Sequence, residues 1–204
     1  MRELLRKEFG NMAAENQKPS HKVYVALLHN PVYNKRGEIV TSALTNIDVH
    51  DISRASQTYE LGGFFIVHPL EEQRKLANNI LGHWTEGKGS LSNPKRKNAL
   101  DIARVVSDLD EAKKKIEEFH GKAPKVIATK ANPMEGEVSF DFLKSEIDKQ
   151  EQPFLLCLGT AWGLSKEFLN SADILLAPIR PNSSFRHLSV RSAASIMFDR
   201  LIGD

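Results

Sequence analysis

Six short apolar runs recur along the chain, separated by stretches with helical periodicity. They are residues 23–28 (VYVALL), 64–67 (FFIV), 102–106 (IARVV), 125–129 (KVIAT), 154–158 (FLLCL) and 173–177 (DILLA). The first is apolar on both faces, the pattern of a strand covered on both sides in a parallel sheet. Between the runs, apolar residues recur at three- and four-residue spacing. Ile52, Ala55 and Tyr59 mark a helix over 51–60 that Gly62 and Gly63 stop. Leu76, Ile80 and Trp84 mark another over 71–83. Asp108 and Ser139 stand where N-caps belong, ahead of Ala112, Ile116 and Phe119 and of Phe140, Leu143 and Ile147. A short helix is expected over 165–170, and Val190, Ala193, Ala194, Met197 and Leu201 define a last one. Residues 87–98, rich in Gly, Ser, Asn, Pro and Lys, read as a loop. Strands alternating with helices specify an α/β fold: an open, mostly parallel sheet with helices on both faces.

At 204 residues and 41% hydrophobic content, one well-buried domain over 21–204 is expected, preceded by a polar arm over 1–20. A net charge of +2 sets up no global basic field, so nucleic-acid binding must rest on local patches. The one cysteine, Cys157, lies among Phe154, Leu155, Leu156 and Leu158, which predicts a buried strand thiol. No run is long enough for a signal peptide or a membrane span, so a cytoplasmic protein is expected.

Ligands of such sheets bind beyond the carboxyl ends of the strands. Two loops there stand out. One is 159–165 (GTAWGLS), in which two glycines permit close approach of backbone to a ligand. It matches neither a dinucleotide fingerprint nor a P-loop. The other is 178–188, stiffened by two prolines, with His187 near its end and Ser189 placed to cap the last helix.

These segments resemble a known superfamily. LLCLGTAWGLSKEFLNSADILLAPIR, followed by HLSVRSAASIMFDRLIG, is similar to the second and third motifs of the SPOUT RNA methyltransferases. HNPVYNKRGEIVTSALTNIDVHDISRASQTYELGGFFIVHPL looks like the first motif, in the bacterial group found fused to or beside tRNA guanine-N1 methyltransferases. The resemblance implies a deep trefoil knot at the C-terminal end of the sheet. It implies S-adenosylmethionine as cofactor, RNA (tRNA first) as substrate, a homodimer and no metal. Carried over residue by residue, Leu158, Gly159, Ile179 and Leu188 surround the adenine, with Ser189 and Ala194 on its other side, and His187 is counted among the cofactor-binding residues. Gly163 lets the loop wrap the cofactor, and Thr129 and Lys130 border its ribose or methionine part.

The same resemblance places Asn46 and Arg54 at the catalytic end and makes a ribose 2′-hydroxyl the expected methyl acceptor. Such a hydroxyl needs deprotonation, for which His50 is chemically easier than a guanidinium. Two alternatives stay open: methylation of a ring nitrogen with Asp48 or Asp51 as base, and a non-catalytic binding module that keeps the fold. Lys35 and Arg36, Lys95 to Lys97, and Arg180, Arg186 and Arg191 form basic groups suited to phosphate. Lys113 to Lys115 read as a solvated helix face, and Trp84 and Trp162 as packing residues.

Overall fold

Strand β1 (Val23–Leu28) shows why the chain must form layers. Val23, Val25 and Leu27 pack into one apolar cluster, and Tyr24, Ala26 and Leu28 into another on the opposite side. A strand buried on both faces belongs at the centre of a sheet covered by helices. A computed structural model, describing residues 22–149, 151–180 and 182–203, shows that arrangement. The arm expected over 1–20 lies outside the described residues.

Chain order is as follows. After β1 come a small hairpin, β2 (Val32–Tyr33) and β3 (Ile39–Val40), then helix α1 (Asn46–Thr58) and β4 (Gly63–Val67). Helices α2 (Glu71–Thr85), α3 (Lys88–Ser92) and α4 (Pro94–Leu100) precede β5 (Ala103–Val106). Then follow α5 (Leu109–His120), β6 (Lys125–Ala128), α6 (Phe140–Asp148) and β7 (Phe154–Gly159). The described chain closes with α7 (Lys166–Ser171), β8 (Ile174–Leu175) and α8 (Val190–Ile202). Six strands form one parallel sheet in the order β5-β4-β1-β7-β6-β8.

The first cluster is covered by α1, α2, α4, α6 and α8, whose inward residues include Ile52, Leu81, Leu100, Leu143 and Phe198. The second is covered by α5 through Ala112 and Ile116, with Phe168 and Leu169 of α7 against its margin. Fully buried side chains such as Phe64, Phe65 and Phe154 each contribute roughly 1.5–3 kcal/mol. Cys157 is among them, and burial pushes its thiol well above its ordinary value, as expected of an inert core group.

The caps explain the boundaries. Asp108, Ser139, Ser165 and Ser189 each accept a hydrogen bond from a backbone N–H three residues on. Two expectations need correction. Residues 87–98 are largely helical: Asn93 accepts from the Arg96 N–H and Pro94 occupies the first turn, so α4 starts where the composition suggested a loop. Helix α1 begins at Asn46, earlier than expected, and ends at Thr58 before the two glycines.

Candidate functional site

Register brings the site together. Leu28 pairs with Val67 on one side and with Gly159 on the other, so β1, β4 and β7 end level. Beyond them and β6 opens a cleft of about 1010 Å³, large for a small-molecule pocket, which typically spans roughly 300–1,000 Å³. Its walls are the loops after β6, β7 and β8, the start of α1 and the start of α8.

The loop after β7 is tightly specified. A Cβ on Gly159 would stand 2.8 Å from both the backbone nitrogen and Cγ of Leu164, so only glycine lets the chain fold back there. Gly163 has φ of 96°, a left-handed value that glycine adopts without steric cost. The turn is pinned from outside by the hairpin segment. Trp162 N–H donates to the Tyr33 carbonyl at 3.0 Å, Tyr33 N–H to the Gly163 carbonyl at 2.9 Å, and Ser165 N–H to the Pro31 carbonyl at 3.1 Å. Thr160 bonds the Leu28 carbonyl at 3.2 Å and the Ser42 hydroxyl at 2.5 Å.

After β6, Thr129 is buried and its hydroxyl donates to the Cys157 carbonyl at 2.9 Å. Lys130 does not extend freely toward a ligand. It pairs with Glu137 at 2.5 Å and donates to the Asn132 carbonyl at 2.9 Å, which shapes the loop. Burial works to raise the Glu137 carboxyl, but the Lys130 hydrogen bond and charge and the Met134 N–H prevail and hold it below the usual range.

Of the cofactor residues expected from sequence, Thr129, Lys130, Leu158, Gly159, Gly163, Ile179, His187, Leu188 and Ser189 all line this one cleft. Ala194 does not. It is fully buried in the core beneath α8, while its neighbours Ala193 and Met197 face the cleft. With Leu158, Ile179 and Leu188 these make an apolar wall, and Asp48 and Ser189 line the same cleft as polar residues. An apolar wall with a polar margin suits a flat heterocycle with a polar edge, so the residues present fit the adenine of S-adenosylmethionine.

The catalytic candidates divide differently. Asn46, in the first turn of α1, and Arg54 are both exposed, and neither lines the cleft. His50 sits edge-on to Trp84 with ring centroids 5.6 Å apart, and burial, then the charge of Arg96, lower its pKa. The cleft receives Asp48 instead. Its residue is 8% exposed, Thr45 donates to its Oδ2 at 2.5 Å, and Arg191 Nη1 meets its Oδ1 at 3.1 Å. The Arg191 Nε lies 3.4 Å from Asp51 Oδ2. One cleft-facing carboxylate is thus oriented by two partners. The spacing of Asp48 and Asp51 along α1 was visible in sequence; the link of Asp48 to Arg191, across 143 positions, was not.

Arg180 and Arg186 also face the cleft. Lys35 and Arg36 are exposed at the turn of the hairpin. Arg96 instead covers the Trp84 ring at 4.6 Å, and Lys97 pairs with Asp101. Trp84 is half-buried as expected, but Trp162 is 61% exposed at the cleft's lip. Lys113 pairs with Asp110 on a solvated face.

Directly after β1 and β4, His29 and His68 are buried with ring centroids 4.9 Å apart. Burial, then the neighbouring His68, pushes His29 down to about 4, against weaker raising effects of the Val67 carbonyl and Asp48. A histidine with a depressed pKa stabilises the fold above its ordinary 6.5, and that contribution is lost as pH falls through about 4. At roughly 1.4 kcal/mol per pH unit, the loss is on the order of 3 kcal/mol. Denaturant midpoints measured from pH 7 to pH 4 are expected to fall less steeply for His29→Phe than for the parent chain. Parallel curves would show that His29 contributes no such dependence.

The sequence pattern of the SAM-dependent RNA methyltransferases matches residues 22–203. A tRNA (guanine-N(1)-)-methyltransferase of Oleidesulfovibrio alaskensis is 44% identical over 190 residues, covering 93% of this chain and 44% of that protein. The chain therefore spans less than half the length of that relative. An uncharacterized protein of Aquifex aeolicus is 34% identical over 182 residues, covering 89% of each. Among solved structures, the SpoU methyltransferase AviRb of Streptomyces viridochromogenes, in complex with AdoMet, shares the fold. Its TM-score is 0.54 at 15% identity, covering 92% of this chain and 58% of that one.

Proposed function

The chain belongs to the family of SAM-dependent RNA methyltransferases, and from that premise we propose that its substrate is tRNA and its methyl acceptor a ring nitrogen, guanine N1 first. The observation that carries this reading is Asp48, a carboxylate held at the cleft by Thr45 and Arg191. The name of the Oleidesulfovibrio relative supports the same acceptor, for a protein of which this chain matches less than half. A ribose 2′-hydroxyl was the acceptor expected from sequence, but its assigned residues Arg54, Asn46 and His50 lie outside the cleft.

S-adenosylmethionine, when bound, supplies an electrophilic methyl on a sulfonium sulfur. The protein's part is orientation and one proton. Leu158, Gly159, Gly163, Ile179, Leu188 and Ser189 would hold the cofactor through backbone and small side chains, which would fix the line of attack. Asp48 accepts the proton that the ring nitrogen loses as the new carbon–nitrogen bond forms and the carbon–sulfur bond breaks. Arg191 keeps that carboxylate aimed and offers positive charge to an adjacent phosphate.

The ribose reading keeps one observation in its favour: Arg54 is exposed on α1, where a second copy in a homodimer could use it. The C-terminal knot belongs to this proposal too, supported by the way α8 returns from the edge strand β8 to pack against α1 and α6.

The test is transfer of labelled methyl from S-adenosylmethionine to bulk tRNA, followed by complete nuclease digestion. A labelled methylated base in an ordinary mononucleotide is expected. Label confined to nuclease-resistant dinucleotides would establish a 2′-O-methyl product and transfer the base role away from Asp48.

A further inference from the structure

Trp162 is a large apolar side chain left 61% exposed, yet nothing about its position is loose. Its backbone N–H donates to the Tyr33 carbonyl at 3.0 Å. The residues on either side, Ala161 with φ of 51° and Gly163 with φ of 96°, both take left-handed backbone. An alanine held there is strained, and such strain persists where surrounding structure over-determines it, often at ligand clamps. The outcome is an indole presented outward at the lip of the cleft. Phe185, 73% exposed, stands on the other loop lining the same cleft. Arg180 and Arg186 accompany them. Arg186 donates through Nη1 to Asn132 Oδ1 at 3.1 Å, while its buried Nε has no partner among the described residues.

We propose that Trp162 and Phe185 form a stacking subsite for an unpaired base of the RNA beside the acceptor nucleotide, with Arg180 and Arg186 taking the adjoining phosphates. It rests on the reading that the cleft serves RNA. Aromatic faces accept any base, which is why stacking platforms recur in proteins that bind single-stranded nucleic acid. Arg180 and Arg186 beside two exposed aromatics supply both phosphate contacts and stacking faces, the two features that a single-stranded polyanion carrying rings needs. The adenine of the cofactor has its own wall deeper in the cleft, at Leu158 and Ile179, so it does not need the indole at the lip.

The chain contains two tryptophans, so Trp84→Phe leaves Trp162 as the only indole. Its fluorescence is titrated with S-adenosylhomocysteine alone and then with a short single-stranded oligoribonucleotide. Saturable quenching by the RNA, with little response to S-adenosylhomocysteine, is expected. In the otherwise native chain, Trp162→Ala is expected to weaken RNA binding by about 10- to 100-fold, with S-adenosylhomocysteine affinity unchanged and Trp162→Phe recovering most of the loss. Quenching complete with S-adenosylhomocysteine alone would assign the indole to the cofactor and overturn the proposal. So would RNA affinity in Trp162→Ala equal to the parent's, or gel filtration in which the parent self-associates and Trp162→Ala does not. A parent chain that binds no RNA removes the tRNA reading as well, whereas a parent that binds RNA with Trp162 silent removes the stacking subsite alone.

Discussion

Replacing Asp48 with asparagine is expected to lower kcat for methyl transfer by roughly 100- to 10,000-fold, the range that a positioned proton acceptor contributes. Cofactor affinity should stay within about threefold, because the substituted atoms lie at the start of α1 and not in the wall formed by Leu158, Ile179 and Leu188. Asparagine preserves shape and can still meet Thr45, but it takes no proton and offers Arg191 no negative charge. Asp51→Asn separates those two losses. It removes the longer contact to Arg191, at 3.4 Å, and leaves Asp48 in place. A fall of less than about tenfold is expected there, in keeping with a contact that only helps to aim a neighbour. Equal falls for both variants would mean that the Arg191 grip, and not proton transfer, is what Asp48 supplies.

Gly159→Ala is expected to weaken S-adenosylmethionine binding by at least about 100-fold, equivalent to roughly 2.7 kcal/mol. The added Cβ would lie 2.8 Å from the Leu164 backbone nitrogen and from its Cγ. Relief by moving the loop is blocked, since Tyr33 and Pro31 hold residues 162–165 by main-chain hydrogen bonds. The strain therefore falls on the segment that wraps the cofactor. Adding Leu164→Ala removes the side-chain half of the clash but not the backbone half, so partial recovery is expected. A cooperative unfolding transition in both variants shows that the loss is local, and undiminished binding in Gly159→Ala would sink the role given to this loop.

The layered fold was legible because strand and helix periods differ, and each of the six apolar runs coincides with or overlaps a strand of the sheet. What escaped is instructive. Residues 87–98 carry the composition of a loop, yet Asn-Pro is equally the start of a capped helix. Asn93 and Pro94 take that option because Ala99 and Leu100 can then be buried. The β2–β3 hairpin is two residues per strand, too short for any periodicity to register. It nevertheless determines the course of the 159–165 loop, through contacts between residues about 130 positions apart such as Tyr33 and Gly163.

The site shows the same division. Of the ten residues expected to hold the cofactor, nine line one cleft, because they lie on short segments at the ends of neighbouring strands. Ala194 was misplaced by one helical step: periodicity identifies the inward face of α8, and full burial put this alanine beneath the wall. The acceptor end was not readable in detail. Asn46, His50 and Arg54 share a helix with Asp48, but only the side that meets Arg191 of α8 reaches the cleft. That choice depends on how two distant helices pack. Trp162 was hidden for a related reason. An indole in a Gly-bounded turn reads as packing, and only its exposure in the folded chain reveals that it faces outward.

The most direct measurement of the central claim is isothermal titration of S-adenosylhomocysteine into the intact chain and into Gly159→Ala. One site per chain in the parent, lost in the variant while the fold persists, is the predicted result. A parent that gives no saturable heat, or a variant that binds as its parent does, would contradict the assignment of this cleft to the cofactor.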